Sequence, residues 1–148
     1  MQELNLPKYK FRFEKRDNHI FIFDTIRKKF ILCTPEEWVR QHLIQYFIKE
    51  KSVPAGLISV EKAIHINGLS RRYDALIADK QGNPIVLIEC KAPEVKISQE
   101  VFQQIAEYNL HFHVPYLFVS NGLSHYICRI GEENKISFLK VMPNYSEL

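Results

Sequence analysis

Between Tyr9 and Leu32, apolar and polar positions change places almost residue by residue. Phe11 and Phe13 stand two apart, Ile20 to Phe23 form an apolar block, and Phe30 to Leu32 form another. A period of two predicts short antiparallel strands, joined at Arg16-Asp17-Asn18 and again between Thr25 and Lys28. From Thr34 the period lengthens: Val39, Leu43, Tyr46 and Phe47 recur at helical spacing. Thr34 is a natural N-cap, Pro35 fits the first helical position, and Glu36 and Glu37 sit at the positive end of the helix dipole. This predicts a helix of about four turns that ends near "VPAGL".

Three strand-like runs follow, Leu57 to Ile66, Tyr73 to Ala78 and Ile85 to Cys90, the last two separated by the turn "DKQGNP". A second helix opens at Ser98 and runs through "QEVFQQIAEYNLHF". "VPYLFVS" and "HYICRI" read as strands on either side of a turn at Ser120-Asn121-Gly122, and "KISFLKVM" as a last strand. The order is strands, helix, three strands, helix, strands, which makes a mixed α/β arrangement with helices on the faces of a sheet.

Composition narrows this picture. A chain of 148 residues suffices for one domain with a core of its own, and nothing in it marks a linker or an internal repeat. A net charge of +3 is too small to argue for nucleic-acid binding, so the placement of the charges has to carry that case. Cys33, Cys90 and Cys128 form no pair at metal or disulfide spacing and lie in apolar contexts, as small buried hydrophobes do. No signal peptide and no apolar run of ~18 residues is visible, so a reducing, cytoplasmic setting is expected, with no membrane partner. The six histidines lack zinc-site spacing, and neither a Ser-His-Asp arrangement nor a phosphate-binding glycine loop is present.

The chemistry concentrates in "RRYDALIADKQGNPIVLIECKAPE", Arg71 to Glu94, where Asp74, Glu89 and Lys91 interrupt two apolar runs. Side chains alternate along a strand, so Glu89 and Lys91 share a face while Ile88 and Cys90 share the other. A turn near Gly82 brings Asp74 across from Glu89. Two neighbouring carboxylates repel unless something positive lies between them, and a hard divalent cation such as Mg2+ fits that requirement. The same residues also fit an ordinary ion pair at a solvated strand end.

Asp74, followed after an apolar strand by Glu89-Cys90-Lys91, resembles the D…(D/E)xK signature of the PD-(D/E)XK nuclease superfamily. "TPEEWVRQHLIQYF", "RRYDALIAD", "PIVLIECKAP", "FQQIAEYN" and "PYLFVSNG", in that order, resemble the N-terminal nuclease domain of type I restriction enzyme R subunits, over roughly Thr34 to Ile130. The resemblance implies a restriction-endonuclease-like mixed central sheet flanked by helices, an αβββαβ core spanning 34–148, with residues 1–33 as an N-terminal β extension packed on it. It implies a Mg2+- or Mn2+-dependent deoxyribonuclease in which Asp74, Glu89, Lys91 and Gln104 are catalytic. Glu36, Asp74, Glu89 and the backbone carbonyl of Cys90 would hold the metal.

Helical phase favours Glu36 over Glu37 for that role, because Val39, Arg40 and Leu43 follow it on the sheet-facing side. Gln104 would face the site, with Tyr108 one turn on. Arg71, Arg72 and Tyr108 would contact nucleic acid, each phosphate contact adding salt-dependent affinity. The superfamily's proline before the first acid is replaced here by Tyr73. R subunits continue into a helicase motor, whereas this sequence ends at Leu148, so the expectation is a recruited or free-standing nuclease. DNA and other restriction or helicase subunits are the implied partners. A rival reading is a DNA-binding or protein-interaction module that keeps the fold without cutting.

Overall fold

The computed structural model describes all residues from Met1 to Leu148. The chain begins with a three-stranded antiparallel sheet, β1 (Phe13–Arg16), β2 (His19–Asp24) and β3 (Lys29–Leu32). Asp17 and Asn18 both take positive φ in the β1–β2 turn, as a two-residue hairpin turn requires. Helix α1 (Pro35–Glu50) follows, and the Thr34 side chain accepts from the Glu37 amide as its cap.

The central sheet has six strands. They are β4 (Ile58–Val60), β7 (Ala75–Ala78), β8 (Pro84–Cys90), β9 (Tyr116–Ser120), β10 (His125–Ile130) and β11 (Ile136–Leu139), in the order β11-β10-β9-β8-β7-β4. Only β8 and β9 are parallel, and helix α2 (Gln99–Asn109), capped by Ser98, makes the crossover between them. The remaining strands, β5 (Ala63–Ile66) and β6 (Leu69–Arg72), form a separate hairpin.

Two apolar layers cover the sheet. Val39, Leu43, Ile44 and Phe47 of α1 pack on Ala75, Ile77, Val86, Ile88 and Phe118. Phe102 and Ala106 of α2 pack on the opposite face, against Leu76, Leu87, Leu117 and Val119. This alternation sets the faces of β8: Ile88 and Cys90 belong to the α1 layer, and Leu87 to the α2 layer. The N-terminal segment is pinned by Leu4, which lies over Gly122. A side chain there would meet Leu4 Cδ2 at 2.7 Å, and φ of +85° already requires glycine.

The chain departs from the sequence expectation between Leu57 and Arg72. The predicted single strand is broken at Glu61, which takes φ of 55°, and its second half pairs with the unpredicted strand β6. The signal for that hairpin is Asn67-Gly68, both at positive φ, between two alternating runs. Tyr73 and Asp74 lie between β6 and β7 rather than inside a strand. Cys90 and Cys128 are buried, as read from their contexts, while Cys33 is only half-buried. No helix is long and apolar enough to cross a membrane.

Candidate active site

The β7–β8 hairpin has the expected register. Ala75 pairs with Ile88, Leu76 with Leu87 and Ile77 with Val86. The turn at Gly82, with φ of +88°, gives this register, and Asp74 and Glu89 each lie one residue beyond its last rung, Ala75–Ile88. The Asp74 carboxylate is fixed by the backbone: Oδ2 accepts from the Cys90 amide at 2.6 Å. Oδ1 lies 4.0 Å from the Arg40 guanidinium, which also donates to the Asp74 carbonyl at 3.2 Å.

Glu36 and Lys91 complete this side of the hairpin. Partial desolvation of its carboxyl, and then the charge of Asp74, push the Glu36 pKa up against the opposing charges of Arg40 and Lys91. Charges at the β7 entrance and the β8 exit thus both act on the first turn of α1.

Glu89 looks elsewhere. Its carboxylate pairs with Arg71 of β6, both side chains being mostly buried. The Arg71 guanidinium also lies over two rings, 5.1 Å from Tyr73 and 4.9 Å from Tyr108. Tyr73 is itself held by Asn109 of α2, and burial pushes its phenol up to about 12. So Arg71 is the cation that offsets Glu89, where the sequence suggested a contact to nucleic acid. Arg72 pairs with Glu61 on the surface. Gln104 and Tyr108 are both exposed on α2.

The two helix-start glutamates divide differently from their helical phase. Glu37, not Glu36, is the buried one, at 3% exposure. It accepts from Arg27 at 2.9 Å, from Arg40 at 3.0 Å and from Gln41 at 2.9 Å. Arg27 in turn pairs with Asp24 at 2.5 Å, and Gln41 reaches the same carboxylate at 3.1 Å. Asp24 is fully buried. Burial works against its ionisation, but hydrogen bonds from the Arg27 amide and guanidinium, the Arg27 charge and the Ile26 amide outweigh it and lower its pKa. Glu37 is thereby committed to a balanced internal network, which leaves Glu36 as the acid facing Asp74.

Hard carboxylate oxygens at Asp74 and Glu36 suit a divalent cation. No three His, Cys, Asp or Glu side chains are gathered in a set that would hold one, and the Glu89 carboxylate is paired with Arg71.

A mixed α/β sheet with a helix on each face and an acid-lysine hairpin among its inner strands is the class of domain this geometry defines. The profile of the family Type I restriction enzyme R protein N terminus (HSDR_N) matches residues 35–143, and the chain belongs to that family. Among solved structures, the fold is similar to a fragment assigned as an HsdR subunit of a type I restriction enzyme from Vibrio vulnificus YJ016, with a TM-score of 0.52 and 18% identity. The match covers 78% of this chain and 24% of that one. No curated protein matches the sequence.

Proposed function

We propose that this chain is a metal-dependent DNA endonuclease-like domain of the PD-(D/E)XK type, with a restriction-endonuclease-like core. The observation that supports the reading is that Asp74, one residue beyond the last rung of the β7–β8 hairpin, accepts from the Cys90 amide between Glu89 and Lys91, while the charges of Asp74 and Lys91 act in opposite directions on Glu36. Family membership supports a restriction setting, with DNA and other restriction or helicase subunits as partners.

In this proposal Asp74, Glu89 and Glu36 would hold Mg2+ or Mn2+, with the Cys90 carbonyl as a further oxygen. When bound, such an ion supplies Lewis acidity to a phosphodiester and acidifies a water. The Cys90 amide fixes one oxygen of Asp74, and the other lies 4.0 Å from the Arg40 guanidinium with no main-chain bond. Lys91, with three donors, orients the attacking water and offsets charge that develops on the phosphate. Arg71 trades its carboxylate partner for a DNA phosphate, which both anchors the substrate and releases Glu89. Gln104 and Tyr108 border the path of the strand on α2, and Arg72 adds a phosphate contact.

Supercoiled, linear and single-stranded DNA incubated with Mg2+ or Mn2+ should be cleaved by the wild-type chain, and not by Asp74→Ala or Lys91→Ala. Equal residual cleavage in all three proteins would sink the assignment. The Arg71–Glu89 pair also favours a second reading, in which the acids are permanently neutralised and the domain binds DNA without cutting it. Steeply salt-dependent binding of duplex DNA with no product in either metal would select that reading.

A further inference from the structure

The N-terminal sheet presents a face that the proposed cleavage site does not use. Alternation sends Ile22 and Asp24 inward, where both are fully buried, and sends Phe21 and Phe23 outward together with Phe30 of β3. These three phenylalanines lie outside both core layers. Phe23 and Phe30 are cross-strand partners with ring centroids 5.2 Å apart, and Leu32 beside them is 43% exposed.

Two guanidinium groups cover the rings. Arg12 lies 4.7 Å from Phe23 and 5.6 Å from Phe30, and Arg16 lies 5.1 Å from Phe21 and 5.7 Å from Phe30 while donating to the surface carboxylate of Glu14 at 2.8 Å, a partner that a phosphate would replace. The charge is also segregated. Residues 1–33 contain eight Lys and Arg against four Asp and Glu, a balance of +4, and the whole-chain value of +3 leaves −1 for the remainder.

We infer that the outward face of β1–β3 is a binding platform for single-stranded DNA, with bases stacked on Phe21, Phe23 and Phe30 and phosphates taken by Arg12 and Arg16. A single strand offers both partners this face needs, a π surface and a regular anionic backbone, whereas a duplex hides its base faces. An exposed contact between guanidinium and ring is weaker than base–aromatic stacking, so an incoming base displaces Arg12 or Arg16 onto the neighbouring phosphate. The choice of DNA rests on the proposed nuclease reading. The platform is also tied to that site. Asp24 follows Phe23 directly and holds Arg27, Arg27 holds Glu37, and Glu37 holds Arg40 against Asp74. A strand lying on the sheet is thus kept in fixed relation to the acids.

The test is fluorescence anisotropy of the full chain with a labelled oligothymidylate and with a duplex of equal length, in EDTA so that no cleavage occurs. Tighter binding of the single strand is expected. Phe23→Leu with Phe30→Leu, which keeps apolar bulk, should weaken it roughly five- to a hundredfold. Arg12→Ala with Arg16→Ala, both on the surface, should lower the log–log salt slope by about 1.4. Lys140→Ala, an exposed charge on the far edge of the central sheet, should bind as wild type. Preference for the duplex, or single-strand binding indifferent to both double variants, overturns the platform, as does capture of a protein by this face with no DNA affinity. Phe23→Leu with Phe30→Leu is read by binding in EDTA and Asp74→Ala by cleavage in metal, so loss of the platform and loss of the nuclease reading are told apart.

Discussion

Two groups of charges lie on either side of Arg40 and behave in opposite ways. On one side Asp24, Arg27, Glu37 and Gln41 form a closed set. Two carboxylates and the guanidiniums of Arg27 and Arg40 satisfy one another, and no buried side-chain polar atom is left without a partner. On the other side Asp74 keeps one oxygen free of main-chain bonds, Glu36 is held at a raised pKa by its surroundings, and Glu89 depends on Arg71 from a surface hairpin. A closed network holds structure together, because breaking it strands a buried charge. An open one is available for a cation and a substrate, because its groups are not yet matched.

The contrast is sharpest in a pair of adjacent glutamates. Glu37→Ala would leave Arg27 and Arg40 facing each other in a buried setting, and should destabilise the fold by about 3–5 kcal/mol. Glu36→Ala, at an exposed position outside the network, should stay within about 0.5 kcal/mol. Urea unfolding of the two variants would measure the difference, and equal losses would erase the distinction drawn here.

Activity should reverse that order. Asp74→Asn, which keeps shape and removes charge, should reduce cleavage by about 10²–10³-fold while leaving the unfolding midpoint near wild type. Glu89→Gln should reduce cleavage similarly and also lower the midpoint, because it strands the mostly buried Arg71 guanidinium. A fall in midpoint matching that of Glu37→Ala would move Asp74 into the structural group.

Arg71→Ala sharpens the comparison from the open side. Freed of its partner, Glu89 should let the domain take up Mn2+ up to about tenfold more tightly, about 1.4 kcal/mol, because the cation that competes for its carboxylate is gone. The same variant should bind DNA more weakly. Calorimetry with the ion and anisotropy with DNA would read the two effects, and a decrease in both would assign Arg71 to plain structural support.

The smallest effect concerns acid. The folded-state pKa of Asp24 lies below its ordinary value, so its contribution to stability is complete above the unfolded-state value of about 3.9 and is lost as pH falls through the folded one. Asp24→Asn should therefore be less stable than wild type at neutral pH, with the gap narrowing below about pH 4. Denaturation midpoints of both proteins across that range test this, and a constant gap would show that the carboxylate charge is not what matters.

Much of this architecture was legible because its signals are local. Thr34 and Ser98 cap the two helices as their positions suggested, and the turn at Gly82 with the apolar runs beside it gave the strand register. What escaped depends on partners distant in sequence. The inward turn of Glu37 is stabilised by Arg27 from a turn ten residues earlier, a match that helical phase alone does not contain. The pairing of Arg71 with Glu89 was not visible because the two lie two strands apart. The β5–β6 hairpin, by contrast, had a local signal in Asn67-Gly68 that a single long strand overrode.

The central claim is that the open group of acids, and not the closed one, takes a divalent ion. Calorimetric titration of Mn2+ into the wild-type chain, Asp74→Asn and a folded Glu37→Gln tests it without DNA or turnover. The account predicts saturable binding in wild type, retained in Glu37→Gln and lost in Asp74→Asn; binding that survives Asp74→Asn but disappears in Glu37→Gln would contradict it.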